Sequence, residues 1–362
     1  MERKPGQIGG AAGTGILLAA ALMLTGCERQ PTPPGFVTSE FGVPVEPGYT
    51  LTFPRDHGPH GEYGLEWWYV TANLSDEHGE HHGLQWTLFR FRGPAGTQSF
   101  WWDGQGYLAH LMHETEGHHR AWQRAGRAAQ VRIEPEPFVA GIDHWWLRSA
   151  GTSLQPLHLV ASEAGLAIAL QLDDSPLVQH GDQGFSDKSG DGKLASYYYS
   201  LPRLRVQGYL DPGDGWRKVS GSAWLDREWS SAFLDERFSG WDWMGLQLDD
   251  GQNLMVFCLL AAESGQDHCD GSLIQPDGAL IALANDVIHW QAEEWVELGD
   301  STYPVKWTLS LPKYGISLKI ETRSQDQRNQ LDIVYWEGPV KVTGSQDGVG
   351  FVEMTGRGSS PR

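Results

Sequence analysis

Two carboxylates stand among aromatic residues where an acid has little reason to be. Asp242 lies between Trp241 and Trp243 in GWDWMGLQL, and Glu66 sits near the start of LEWWYVTANL. A strand alternates its side chains between two faces. On that template Asp242 shares a face with Met244, Leu246 and Leu248, and Glu66 shares one with Trp68, Val70, Ala72 and Leu74. Such surroundings solvate a carboxylate poorly; burial disfavours the charged form and raises the pKa, as a proton donor near neutral pH requires. The competing reading is a fixed charge that caps a loop or pairs with an arginine, and Arg227 in WLDREW is the candidate partner. Arg227 shares its face with Ala223, Leu225 and Trp229, whereas Asp226 and Glu228 turn the other way with Trp224. With an arginine between two acids, this segment reads as an ion-pair cluster.

Other chemistries find less support. There is no G-x-S-x-G elbow to present a serine nucleophile, and GFSDKSG does not supply one. The histidines His57, His60, His78, His81, His82, His110, His113, His118 and His119 fall mostly in polar, turn-rich stretches and read as solvated loop residues. HLMHE, at 110–114, is not the H-E-x-x-H of zinc enzymes. A calcium-loop start at Asp187, Ser189, Asp191 and Gly192 places Tyr198 where a bidentate glutamate is required. The sequence therefore implies no metal and no cofactor.

The elements that position these residues are strands. GLQWTLFRF, LASYYYSLPRLRVQGYL, NLMVFCLLAAE, YPVKWTLSLP and ISLKIETRS alternate and are separated by Gly, Asp, Asn and Pro, the pattern of an all-β protein. The best helical candidate is HHRAWQRAGRAAQ, 118–130. WWYVTANLSD at 67–76 also aligns without a gap on WDWMGLQLDD at 241–250. Trp67 falls on Trp241, Tyr69 on Trp243, Asn73 on Gln247, Leu74 on Leu248 and Asp76 on Asp250. Shared strand pattern alone would not keep aromatic, amide and acid in register, so the chain reads as an internal duplication. The turn-rich YLDPGDGWRK marks the boundary, giving domains 46–210 and 211–362. Trp67, Trp68, Tyr69, Tyr197, Tyr199, Trp241 and Trp243 are the candidates for contact with a ligand.

Composition narrows the partners. A formal net charge of −19 over 362 residues leaves no basic patch for phosphates and argues against nucleic acid. Arg3 and Lys4 followed by the apolar run Ile16–Leu24 have the layout of a secretory signal, and the run is too short to span a membrane. Leu24-Thr25-Gly26-Cys27 resembles the lipobox of bacterial lipoproteins. That resemblance implies a signal peptide over 1–26, cleavage before Cys27, lipid on its sulfur and a tether over 27–45. Glu28 in second place leans toward the outer membrane. Cys258 and Cys269 remain as candidates for a disulfide in an exported protein. The 17 tryptophans suit sites with one apolar side and one wet side as well as cores.

EWWYVTANL, ASYYYSLPRL, SGSAWLDREWSS, GWDWMGLQLDDG and VYWEGPVKVTG together resemble the AttH-like family, which is related to the carotenoid 1,2-hydratases. The resemblance implies two tandem lipocalin-like antiparallel β-barrels able to enclose an apolar ligand, and a setting beside an FtsX-like ABC transporter permease. In the hydratases function depends on His-x-Trp and a later Tyr-x-Asp. Those positions fall here on Arg227-Glu228-Trp229 and Phe257-Cys258-Leu259, so Trp229 is kept while the histidine and both oxygens are replaced. Two functional expectations follow, with a purely structural lipoprotein whose barrels are filled by side chains as a third. One is a lipid-anchored, periplasm-facing protein that binds an apolar small molecule or lipid. The other is a hydratase-type enzyme using Asp242 or Glu66 as proton donor, with Arg227 and Trp229 nearby.

Overall fold

The computed structural model describes residues 42–93, 99, 102–115, 117–262 and 265–357. Cys27, the signal segment and most of the tether lie outside the described residues. Helical structure among the described residues is limited to four single 3-10 turns, and the strands, all paired antiparallel, are joined by turns and loops. The alternating sequence requires this: one face of each strand is apolar enough to bury, and period-two patterns cannot offer a helical stripe. His118–Arg127, the core of the helical candidate, is a strand that edges the first sheet against Gln105–Thr115. Tertiary pairing overrode the helix-forming alanines and arginines there.

Two sheets divide the chain. In the first, Leu65–Asp76 lies between His81–Arg92 and Arg217–Ser230, and Arg217–Ser230 also pairs with Ala195–Asp211. In the second, Phe238–Leu248 lies between Asn253–Ala261 and Gly348–Met354, and Gly348–Met354 pairs with Val334–Gly344. The same arrangement thus recurs, each sheet closing its last strand onto its first. The switch of sheet falls between Ser230 and Phe238. The boundary expected at 210/211 precedes this switch, and Arg217–Ser230 is held in the first sheet by hydrogen bonds on both sides.

Both sheets curl in the lipocalin-like manner and fill their interiors with side chains. Trp68, Val70, Ala72 and Leu74 point into the first interior with Trp86, Trp145 and Leu225. Met244, Leu246 and Leu248 point into the second with Trp307 and Trp336. Each such large apolar side chain contributes roughly 1.5–3 kcal/mol on burial. The opposite faces of Leu65–Asp76 and Phe238–Leu248 meet, with Tyr69, Trp224, Trp243, Phe257 and Phe351 packed in a third apolar cluster between the sheets. The duplicated amides work across this seam in both directions. Asn73 Nδ2 donates to Gly350 O at 3.2 Å, and Gln247 Nε2 donates to Pro202 O at 2.8 Å and Ala223 O at 3.0 Å.

A candidate acid–base site between the two sheets

The two acids singled out from sequence are both engaged elsewhere. Glu66 is completely buried in the first domain and binds the Arg90 and Arg227 guanidinium groups. It also accepts from the His60 amide at 3.0 Å. Arg227 lies 3.9 Å from the Trp68 ring centroid and 5.0 Å from that of Trp229, and Trp229 stacks on His60 at 3.9 Å. Burial alone would raise the Glu66 pKa, but Arg227 and Arg90 hold it well below the usual carboxylate range. Glu66 is a structural anion, and Trp229 packs behind it. Asp242 points into the second domain, where its carboxylate pairs with Arg357 and not with Arg227. Tyr197 and Tyr199 turn away from the seam and pack with Trp229, Leu51 and Tyr63; the Tyr199 hydroxyl lies 2.7 Å from His57 Nδ1.

Between the sheets lies a narrow cleft whose cavity holds about 40 Å³, room for a few waters with its walls as they stand. Its walls are Trp67, Tyr69, Phe89, Phe233, Trp241, Trp243 and Phe257, and three carboxyl groups reach it: Asp226, Glu228 and Glu353. Register explains the gathering. Asp226 stands opposite Tyr69 across one strand pair, and Glu353 stands opposite Trp243 across the equivalent pair of the second sheet. Since Tyr69 and Trp243 are duplicate positions, Asp226 and Glu353 are counterparts, one from each repeat. Gly245 makes room for this wall: a Cβ there would come within 2.5 Å of the Trp243 ring and 3.2 Å of Trp224.

The two acids have different partners. Asp226 Oδ1 accepts from Trp224 Nε1 at 2.6 Å and from the Ser200 hydroxyl, and Oδ2 accepts from Tyr198 OH at 2.8 Å. Burial pushes the Asp226 pKa up to about 7 against those three donors, and the charge of Glu228 adds to the rise. Glu353 Oε1 accepts from Trp241 Nε1 at 2.7 Å. Directly across the strand pair stands Glu337, wholly buried and bound by Tyr69 OH at 3.0 Å. Burial, and then the Glu353 charge, drive Glu337 well above the carboxylate range. Burial, with the Asp226 charge adding to the rise, brings Glu353 to about 7 although Trp241 donates to it. Two facing carboxyl groups that cannot both ionise retain a proton between them.

Glu228 differs again. Its Oε1 is 3.2 Å from Lys188 Nζ, and it accepts from the Ser196 hydroxyl. The buried Lys188 ammonium also sits 4.4 Å from the Tyr198 ring centroid and 4.7 Å from that of Phe257. Asp226 and Glu228 therefore belong to the cleft and form no ion-pair cluster with Arg227, which projects from the other side of the strand. Burial pushes Tyr69 and Tyr198 well above 10, and the neighbouring acids add to this, so both phenols remain hydrogen-bond donors at any working pH.

A family model described as AttH-like matches residues 44–357. The chain belongs to the AttH-like family. A crystal structure of AttH from Nitrosomonas europaea is 29% identical and superposes with a TM-score of 0.77, covering 87% of this chain and 99% of that one. Kievitone hydratase from Nectria haematococca, 14% identical, gives a TM-score of 0.64 over 88% of this chain and 97% of that one. CghA in complex with Sch210972, 10% identical, gives 0.56 over 90% and 97%. At these identities the last two likenesses concern the fold. In sequence, the dehydratase asqC of Emericella nidulans is 24% identical over 152 residues, which span 38% of this chain and 41% of the dehydratase.

In this AttH-like chain, Trp67, Tyr69, Trp241 and Trp243 line the cleft as candidates for ligand contact, whereas Trp68, Tyr197 and Tyr199 do not. Sequence reasoning missed Tyr198, Glu337 and Glu353. On a strand Tyr198 faces opposite to Tyr197 and Tyr199, and Glu353 shares a face with Phe351, but nothing local indicates that two remote strands bring them together. Several histidines expected in solvent, among them His57, His60, His82, His110 and His113, are buried. Asp76, Glu80 and His82 approach one another closely enough for a shared ion, yet Arg217 lies among them, 3.4 Å from Asp76 and 2.6 Å from Glu80. The Asp187 carboxylate receives the amides of Ser189, Gly190 and Gly192 as a turn cap. Cys258 and Cys269 face each other across a strand pair and are bonded.

Proposed function

We propose that this chain catalyses addition or removal of water on an apolar substrate bound between its two sheets. The observation that carries this reading is one aromatic cavity holding Asp226 and Glu353, both brought to about 7 by burial. General acid–base catalysis is most effective with groups that titrate near the working pH. Glu353, sharing a proton with Glu337, is the acid; it transfers that proton to one carbon of a C=C bond. The faces of Trp67, Trp241, Trp243 and Phe257 surround the carbon that becomes electron-poor. Asp226, whose three donors favour its ionised form, takes a proton from the incoming water as the C–O bond forms. The substrate gains H and OH, one proton leaves Glu353 and one arrives on Asp226. Dehydration is the same path reversed. The dehydratase asqC, similar in sequence over part of both chains, supports this class.

The lipobox-like segment ending at Cys27 supports placing the enzyme on the periplasmic side of the cell envelope, anchored by lipid near its apolar substrate and beside an ABC transporter permease. The test is to incubate the protein with an apolar extract of its own membranes in oxygen-18 water and follow the extract by mass spectrometry. A component that gains or loses water with the wild type, and not with Glu353→Gln or Asp226→Asn, is the expected result. A component that co-purifies in the cleft and never changes mass refutes catalysis and leaves an apolar binder.

A further inference from the structure

Behind Asp226 a line of side chains runs from the first sheet to the second. His180 is wholly buried, and its ring stacks on Tyr198 with centroids 4.1 Å apart. Its Nε2 is 2.7 Å from the Ser200 hydroxyl oxygen, and its Nδ1 is 2.9 Å from that of Ser272, on the second sheet. Ser200 in turn donates to Asp226 Oδ1.

The direction of each bond follows from counting hydrogens. An ionised Asp226 can only accept, so the single hydrogen of Ser200 is committed to it. The Ser200 oxygen must then accept from His180, which puts the ring hydrogen on Nε2 and leaves Nδ1 as acceptor for Ser272. This arrangement needs a neutral imidazole. Burial holds His180 well below its ordinary pKa, and the Lys188 charge lowers it further. Tyr198, the other titratable group against the ring, remains a neutral phenol. Around Asp226 the other polar or charged groups are Trp224, Tyr198, Glu228 and Tyr69, the residue opposite it on the paired strand, with Glu353 and Glu337 across the cleft.

We propose that His180 is a positioning residue for Asp226: in its Nε2–H form it locks the Ser200 hydroxyl onto the carboxylate, so that Asp226 meets substrate as the proton acceptor. This rests on the acid–base reading of the cleft. It also makes the acceptor depend on Ser272 of the second sheet, so the base is complete only when both sheets are docked.

Two substrate-free measurements on the whole chain test it. Nitrogen-15 NMR of histidine-labelled protein, with His180 assigned by its absence in His180→Gln, should give a protonated Nε2 and a bare Nδ1 at about pH 8, where Asp226 is ionised. Infrared titration of the Asp226 carboxyl, assigned by its loss in Asp226→Asn, should find Ser200→Ala raising the midpoint by about one pH unit or more, since one donor to the anion is removed. His180→Phe keeps the stacked ring and should shift the midpoint the same way. His180→Gln, whose amide nitrogen reaches the Nε2 position, should restore it. An Nδ1–H or doubly protonated ring overturns the proposal. So does an Asp226 midpoint that titrates near neutrality but ignores His180→Phe in folded protein; if that variant does not fold, the wild-type tautomer and the Gln variant decide. A wild-type Asp226 that never titrates between about pH 5 and 9 overturns the acid–base reading itself, and the role of His180 with it.

Discussion

Replacing Glu353 by glutamine should stabilise this protein at pH 8 and do little at pH 5. Glu353 titrates at about 7 in the folded chain against 4.5 for an unhindered glutamate. The folded state therefore binds a proton more tightly than the unfolded state, and stability falls as pH rises from about 4.5 through 7. At about 1.4 kcal/mol per pH unit, the interval from 4.5 to about 7 corresponds to a loss of about 3 kcal/mol by pH 8. Part of Glu353 opens on the cleft, so about 2–3 kcal/mol is the expected range, on the order of 3–4 °C in melting temperature for a chain of this length. Glutamine keeps an oxygen for Trp241 Nε1 and offers an amide to Glu337 without a negative charge. The assay is urea denaturation of wild type and variant at pH 5, 6, 7 and 8 at constant salt. The wild-type curve should slope downward with pH and the variant's should be flatter, the two separating above pH 6. Parallel curves, or a variant less stable at pH 8, would refute the claim that the cleft holds this carboxyl against its own solvation.

Glu66→Gln should do the opposite, costing about 3–5 kcal/mol at neutral pH in the same denaturation assay, because Arg90 and Arg227 would be left buried with their counter-charge gone. Gln247→Ala should cost about 1–3 kcal/mol by leaving the Pro202 and Ala223 carbonyls without their donor; an unchanged denaturation midpoint would mean the seam does not depend on it. The Cys258→Ser, Cys269→Ser double variant should lose about 3 kcal/mol, the loop-closure value for a crosslink of sequence separation 11. Alkylation of unreduced wild type should label neither cysteine. Asp242→Asn should leave any water-transfer activity of the cleft intact, since Asp242 faces the second interior; equal loss in Asp242→Asn and Glu353→Gln would contradict the assignment of roles.

Much of this molecule was legible in its sequence because strands write their two faces in alternate letters. The all-β class, the inward set Trp68, Val70, Ala72 and Leu74, and the outward pair Trp67 and Tyr69 follow from that period alone. The gapless match of 67–76 to 241–250 foretold a repeat, and the pairings of Leu65–Asp76 and Phe238–Leu248 are alike in the two sheets. The five family motifs carried the likeness that the match over residues 44–357 established. Alternation even separated Asp226 and Glu228 from Arg227.

What alternation cannot state is which charge meets which. Arg227 and Glu66 are 161 residues apart and Asp242 and Arg357 are 115 apart, so the conversion of two promising acids into ion pairs was decided by folding. The location of the cavity was likewise tertiary. A barrel-lining reading of Trp241 and Trp243 and a seam-lining one give the same letters, and only the packing of one sheet on the other distinguishes them. Sequence determined that the chain has two aromatic strands with acids beside them. The docking of the repeats removed solvent from Asp226, Glu337 and Glu353 together, and that shared desolvation is what turns ordinary carboxylates into groups able to exchange a proton near neutral pH.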